Sequence, residues 1–451
     1  MPTDLETEKA CESLTAAISA FAADTPSDRI PDGAFDAGKR LILDTLGCAL
    51  AASNRRIGRT MIGYVTEENS GPAMASVIGS KIKVSPSLAA LANGTMAHAL
   101  ALEGGNHLPT HIVPAVLALA EQFHFSGRDV LAAVVVGYEV GLKLTHALGR
   151  GPTERGWWHP KLVGPIAAAV AAARLIGLDR RRMAMAIGIA ATGSGGFRRN
   201  MGTMSQAFHS GLAARDGIQA AELARRGFTA DPAIVESPLG FARALCGEAG
   251  EGFASIGAIL GKPYALEKPY AIKPFPVCGP AQPLIEAVLS LRRQGPIPIE
   301  AIESIDADLH YFSLLRPEAP DEDAAGYSGA YVVAAALVRG DVWIDEIAAP
   351  TLDDPAVRGL MERVRHVASA TKGEDTVTIR LSDGRVLTAT VSSSGRRESS
   401  IEVGERKFRR CAERILTPAE TEELKARILD LDRQPSVGPT MDLMAGRVSG
   451  R

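Results

Sequence analysis

The 451-residue sequence has little of what marks the common function classes. Lysine plus arginine number 49 against 52 aspartate plus glutamate, a formal net charge of −3. No field of one sign therefore points to nucleic acid or to an anionic membrane as a partner. The five cysteines, Cys11, Cys48, Cys246, Cys278 and Cys411, are widely spaced and form no C-x-x-C pair, as expected of reduced thiols in a cytoplasmic protein. The acidic opening "MPTDLETEKACESL" lacks the pattern of a secretory signal. The longest apolar runs, such as "VGPIAAAVAAA" before Arg174, fall short of the roughly 18 residues that a membrane span needs. There is no phosphate-cradling G-x-x-x-x-G-K-[ST] loop, no dinucleotide G-x-G-x-x-G after a strand and no G-x-S-x-G elbow. Aromatic residues make up 5%, while alanine and glycine abound, which favours close-packed helices over a sandwich of strands.

What is present is a chain long enough for about two or three domains, with 46% apolar residues. Up to about residue 260 it reads as helix after helix. Apolar residues recur at helical spacing over 34–53, 111–127, 128–149, 161–177 and 210–227, and several of these segments end at glycine. The composition shifts at "KPYAIKPFPVCGPAQP", which carries five prolines in sixteen residues and reads as a stiffened loop. Beyond it the pattern gives a helix over 284–293, a half-buried strand over 302–310 and a helix over 324–341. A β-hairpin follows over 375–394, and a helix opened by a Thr417 cap over 417–432. The tail after Gln434 is expected to be loosely ordered. The fold expected is mainly α. A large all-helical domain is built from residues 1–268 and 406–451, with a smaller α+β lid domain over 269–405.

Candidate chemistry sits first in "HALALEGGNHLPTH" (98–111), which holds three of the nine histidines and Glu103. His107 and His111 stand four apart, a metal-ligand spacing on a helix, but Pro109 and the paired Gly104 and Gly105 argue against a helix at His107. His111 is expected at the start of a helix, where backbone N–H groups favour an anion or an acid–base role; a structural role is the alternative. In "RGWWHPKLVG", His159 stands at a helix entrance behind two tryptophans. It is either a desolvated general base or a plain helix cap. "NMGTMSQAFHSGLAARDG" runs a loop into a helix and carries Gln206 and His209; it can present N–H groups to a carboxylate or be a simple turn. Lys273, fixed between domains by Pro274 and Pro276, can hold a carboxylate or be solvated.

In order and spacing, five segments resemble the MmgE/PrpD family, over roughly residues 15–430. They are "NGTMAHALALEGGNHLPTHIVPAVLALAE", "GWWHPKLVGPIAAAVAAARLIGL", "NMGTMSQAFHSGLAARDGIQAAELARRGF", "KPFPVCGPAQPLIEA" and "YSGAYVVAAALVRGDV". That family includes 2-methylcitrate dehydratase, cis-aconitate decarboxylase and iminodisuccinate epimerase. The resemblance implies a helical domain with an α+β lid, a homodimer, and an active site between the two domains that uses no metal and no cofactor. His111, His159 (the histidine of a "GWH" segment), Lys273 and Tyr331 are implied as catalytic. His107, Glu103, Gln206, His209 and Gln282 are implied as substrate-binding.

The function so implied is a cofactor-free lyase, a dehydratase or decarboxylase, acting on a small hydroxy- or unsaturated di- or tricarboxylic acid by proton transfer next to a carboxylate. The alternatives are an epimerase using the same residues and a catalytically degenerate ligand-binding member. The chain departs from the family pattern where "HALALEGG" stands for "HALDFDDT": Ala101 and Gly104 replace aspartates, Glu103 a third, and Gly105 a threonine or serine. Gln206 stands where the family has lysine and Gln282 where it often has histidine. Fewer cationic contacts imply a substrate with fewer carboxylates than a citrate-type acid, with Gln206 setting the choice.

Overall fold

The computed structural model describes residues 13–247, 252–268, 270–309, 316–393 and 400–446. The expected hairpin and first strand run into residues 394 and 310, and Cys11 precedes residue 13; these positions lie outside the described residues. Cys48, Cys246, Cys278 and Cys411 are unpaired thiols.

The body is a stack of helices that includes Asp32–Ser53, Pro86–His98, Pro109–Phe123, Gly127–Leu148, His159–Leu175 and Met204–Arg225. Their small residues set how closely they pack. A Cβ on Gly211 would lie 2.1 Å from the Leu91 carbonyl oxygen, and one on Gly217 2.4 Å from the Ala168 Cβ. The Met204–Arg225 helix therefore lies backbone to backbone against both Pro86–His98 and His159–Leu175, which is how segments about a hundred residues apart meet at one site. Gly127–Leu148 is capped by Ser126, whose Oγ accepts the Asp129 N–H, and closes at Gly149 with φ 61°. By length and composition this one helix would pass for a membrane span, contrary to the short-run reading of the sequence. Most of it is buried among the other body helices.

The smaller unit carries a four-stranded sheet in the order Val364–His366, Ile302–Ala307, Glu374–Leu381, Val386–Ser392. The first pair is parallel and the others antiparallel, with Ile305 opposite both Val364 and Ile379, and Val377 opposite Ala389. Helices Gln282–Gln294 and Gly329–Arg339 cover it. The helix expected over 324–341 is two pieces, Glu322–Ala325 and Gly329–Arg339, because Ser328 caps the second by accepting the Tyr331 N–H. Tyr327 is left in the link between them.

The chain returns to the body through the helix Ile401–Ala412, which spans the boundary expected at 405; Phe408 packs against Gly47 on Asp32–Ser53. Pro418–Leu429 follows with the expected Thr417 cap, completed by Glu420, whose carboxylate accepts the Thr417 N–H at 2.7 Å. The tail is not loose through residue 446. Gly438–Leu443 is helical, Met441 and Met444 are buried, and the Met444 carbonyl accepts the Gly79 N–H at 2.8 Å. Ion pairs tie the lid to the body, among them Arg55 to Glu322, Arg56 to Asp323, Arg410 to Asp341 and Arg414 to Asp345.

Candidate active site

The loop that joins Pro86–His98 to Pro109–Phe123 has an unusual backbone. Ala101 (φ 49°), Asn106 (φ 56°) and His107 (φ 66°) all adopt left-handed conformations without being glycine. Each such residue costs of order 1–3 kcal/mol and persists only where its surroundings over-determine it. Those surroundings are charged groups bonded to the backbone. Lys407 Nζ donates to the Leu102 carbonyl at 2.6 Å, Asp44 Oδ2 accepts the Gly104 N–H at 2.9 Å, and Lys407 pairs with Asp44 at 2.5 Å. Lys273 Nζ donates to the Ala101 carbonyl at 2.7 Å. The peptide groups on both sides of Glu103 are thus clamped.

Glu103, 1% exposed, is where the loop's chemistry converges. Its Oε1 accepts from His98 Nδ1 at 2.5 Å and from His107 Nδ1, while Oε2 is buried without a partner. Burial alone would raise this carboxyl, but the fields of His98, Lys273 and His107 outweigh it and hold it well below the usual carboxylate range. The His107 imidazole is pushed down to about 4, chiefly by burial, against the pull of Glu103. Its side chain is still 29% exposed, whereas those of His98 and Glu103 are closed off.

A chain of hydrogen bonds fixes the proton positions. Gln206 Oε1 accepts the Gly202 N–H at 2.9 Å, so its amide nitrogen faces His98 Nε2, 3.3 Å away. An amide nitrogen only donates, so His98 Nε2 accepts and Nδ1 carries the proton given to Glu103. Gln206 is also hydrogen-bonded to the buried Tyr327 hydroxyl, which burial pushes well above the usual tyrosine range. Donor atoms of His98, Glu103 and His107 lie within 4.8 Å of one another, a spacing that suits a divalent cation. In this arrangement both Nδ1 atoms instead serve as donors to the carboxylate.

Trp158 stands at the middle of the histidines. Its ring centroid lies 5.1 Å from His98, 5.9 Å from His107, 6.2 Å from His111 and 5.3 Å from His209. His111 is fully buried rather than at a solvent-facing helix end. Its Nε2 lies 3.2 Å from Ser210 Oγ, and its ring fits against the body only because position 164 is glycine. Burial holds the His111 imidazole well below its usual range, and that of His209 at about 4.

Six residues picked from the sequence therefore meet here: Glu103, His107, His111, Gln206, His209 and Lys273. Three do not. His159 is the first residue of its helix and turns away from the cluster, with its ring bonded to the Thr145 backbone and near His146. Neighbouring residues at a helix start point in different directions, and Trp158 takes the inward one. The doubled tryptophan of "GWWH" shifts the histidine by one residue relative to a "GWH" pattern. Tyr331 faces the lid interior, where its hydroxyl donates to the Glu346 carbonyl at 2.5 Å. The lid tyrosine in the cluster is Tyr327, which is not helical. Gln282 braces the proline-rich loop through Phe275 and Val277.

Sequence reasoning also missed His98, Asp44 and Lys407. His98 lay inside the quoted histidine stretch. Asp44 and Lys407 carried no local signal.

Comparison with known proteins gives the family. Residues 16–253 match the MmgE/PrpD N-terminal domain and residues 275–433 the MmgE/PrpD C-terminal domain. Similar proteins include the cis-aconitate decarboxylase of Mus musculus, 26% identical over 88% of this chain and 86% of that protein. The cis-aconitate decarboxylase of Homo sapiens is 27% identical, over 90% and 88%. The cis-aconitate decarboxylase of Aspergillus terreus (strain NIH 2624 / FGSC A1156) is 27% identical, over 96% of both chains.

Proposed function

The chain belongs to the MmgE/PrpD family, and from that premise we propose that it is a lyase acting on a small carboxylic acid by proton transfer at the carbon next to a carboxylate. The observation that carries this reading is the pair Glu103–His107. An ionised, buried carboxylate accepts the imidazole Nδ1–H, which leaves the lone pair on Nε2 of a ring that solvent still reaches. A carboxylate so placed fixes the tautomer and stabilises the imidazolium once a proton is taken, the logic of a catalytic triad. Names borne by similar proteins support the same class of reaction.

Tyr327 supplies the complementary acid. Its oxygen accepts from Gln206 and its proton is retained at neutral pH, so it is available to a leaving group or a developing enolate. In the dehydration form, His107 takes the α-proton, the electron pair becomes the new C=C bond, and the β-hydroxyl leaves as water with the Tyr327 proton. Lys273 keeps two N–H donors beyond the one given to Ala101 and holds the substrate carboxylate.

The test is a panel of hydroxy- and unsaturated mono-, di- and tricarboxylates, followed by ultraviolet absorbance for a conjugated double bond and by carbon dioxide release. Turnover of a panel member that His107→Gln abolishes supports the reading. Change in optical rotation without either signal overturns it in favour of an epimerase.

A further inference from the structure

Most of the cations around the cluster are already engaged. Three lysines lie close to it, and two of them face a carboxylate within ion-pair distance. Lys407 pairs with Asp44 at 2.5 Å and Lys161 lies 3.6 Å from Asp216, whereas Lys273, whose field reaches Glu103, forms no ion pair among the described residues. Each also gives a hydrogen bond to a backbone carbonyl: Leu102, Gly193 and Ala101 respectively. The three imidazoles lowered by burial, His107, His111 and His209, add no positive charge at neutral pH. Gln206 has no free end, since its oxygen is taken by Gly202 and its nitrogen faces His98 and Tyr327. Arg316, packed against Gly202, gives its guanidinium to the Met201 and Arg199 carbonyls. The rest of the wall is the Trp158 indole with its imidazole neighbours, a surface that suits apolar or amide groups.

We infer that this site takes a substrate with a single carboxylate, held by Lys273, and a neutral remainder lying against Trp158. A second carboxylate in the same enclosure meets no unspent cation, and an unpaired buried carboxylate is among the costliest groups to desolvate. Gln206 acts here as a neutral bridge between His98, Tyr327 and the Gly202 backbone, and does not read the substrate itself. The inference rests on the lyase reading only for the presence of a carboxylate.

The probes are crotonate, citraconate and cis-aconitate, unsaturated acids with one, two and three carboxylates. Binding is measured by calorimetry on wild type, Gln206→Lys and Glu103→Gln, each checked for native melting. In wild type, crotonate is expected to bind at least about tenfold more tightly than cis-aconitate, the factor that one missing charged hydrogen bond represents. Gln206→Lys adds a positive charge and Glu103→Gln removes a negative one. Each should move the ratio toward the more highly charged acids by about tenfold or more. Failure of crotonate to bind at millimolar concentration, or equal or tighter binding of cis-aconitate in wild type, overturns the inference, as does a ratio unmoved in both variants. Because binding is read without turnover, an absence of catalysis would count against the lyase reading alone.

Discussion

The two walls of the site are secured in different ways. On the body side, the loop over 101–107 is fixed by a buried ion pair, Asp44–Lys407, whose side chains are 4% and 6% exposed and which bonds the backbone on both flanks of Glu103. The lid is tied to the body largely by exposed pairs, such as Arg410–Asp341 and Arg414–Asp345. A buried pair fixes geometry, because removing one partner strands the other in a medium that cannot solvate it. An exposed pair contributes little and is screened by salt. The body thus carries the rigid chemistry, and the lid brings Tyr327 and Lys273 to it across contacts that can be loosened.

The sharpest way to break this comparison is to exchange the walls' expected roles. His107→Gln should lower kcat by about 10²–10⁴-fold, the range for loss of a general acid or base. His159→Gln and Tyr331→Phe should stay within a few-fold of wild type, as both lie outside the cluster. Steady-state kinetics on the three variants decide it, and a His159 variant as damaged as the His107 one would return catalysis to the helix entrance.

Next in size is the clamp. Lys407→Met leaves Asp44 buried without its partner and should cost about 3–5 kcal/mol in chemical denaturation. Asp345→Asn, on the exposed row, should cost less than about 1 kcal/mol. Equal losses would remove the distinction between the walls.

A pH series sharpens it further. His107, His111 and His209 have imidazoles depressed in the folded protein. The stability they contribute is complete above the unfolded value of about 6.5 and is lost as pH falls from there toward 4. Tm should therefore be flat from pH 8 to 7 and fall between about 6.5 and 4, with His209→Gln flattening part of that slope. The smallest expected effect is none at all. Dialysis against a strong chelator should leave activity intact, because His98 and His107 spend their Nδ1 protons on Glu103. Loss of activity restored by zinc, manganese or iron would make that trio a metal centre.

The sequence conveyed the helical body, the hairpin, the proline-rich junction and the histidine-rich loop, because each rests on local periodicity or turn residues. It misled where direction mattered at single-residue resolution. Trp158 and His159 are adjacent, and a helix start sends one inward and the other outward. Tyr327 and Tyr331 are one turn apart, and the break at Ser328 decides which faces the body. Gln282 was implied as a ligand only by the histidine the family often has there, yet its amide donates to the Phe275 and Val277 carbonyls of the proline-rich loop. The clamp was invisible for a different reason: Asp44, Glu103 and Lys407 are joined only by tertiary packing, across 59 and then 304 positions of chain.

That last separation has a consequence in time. At roughly 5–20 residues per second, a ribosome adds the residues between Glu103 and Lys407 in about 15–60 s. During that interval the helices around Glu103 have their own neighbours to fold against, but the Leu102 carbonyl and Asp44 have no ammonium to meet. The working loop is thus among the last features completed during synthesis, although it is encoded in the first quarter of the chain. A polypeptide released before its closing helices would hold nearly every residue of the cluster and lack the one that sets its shape.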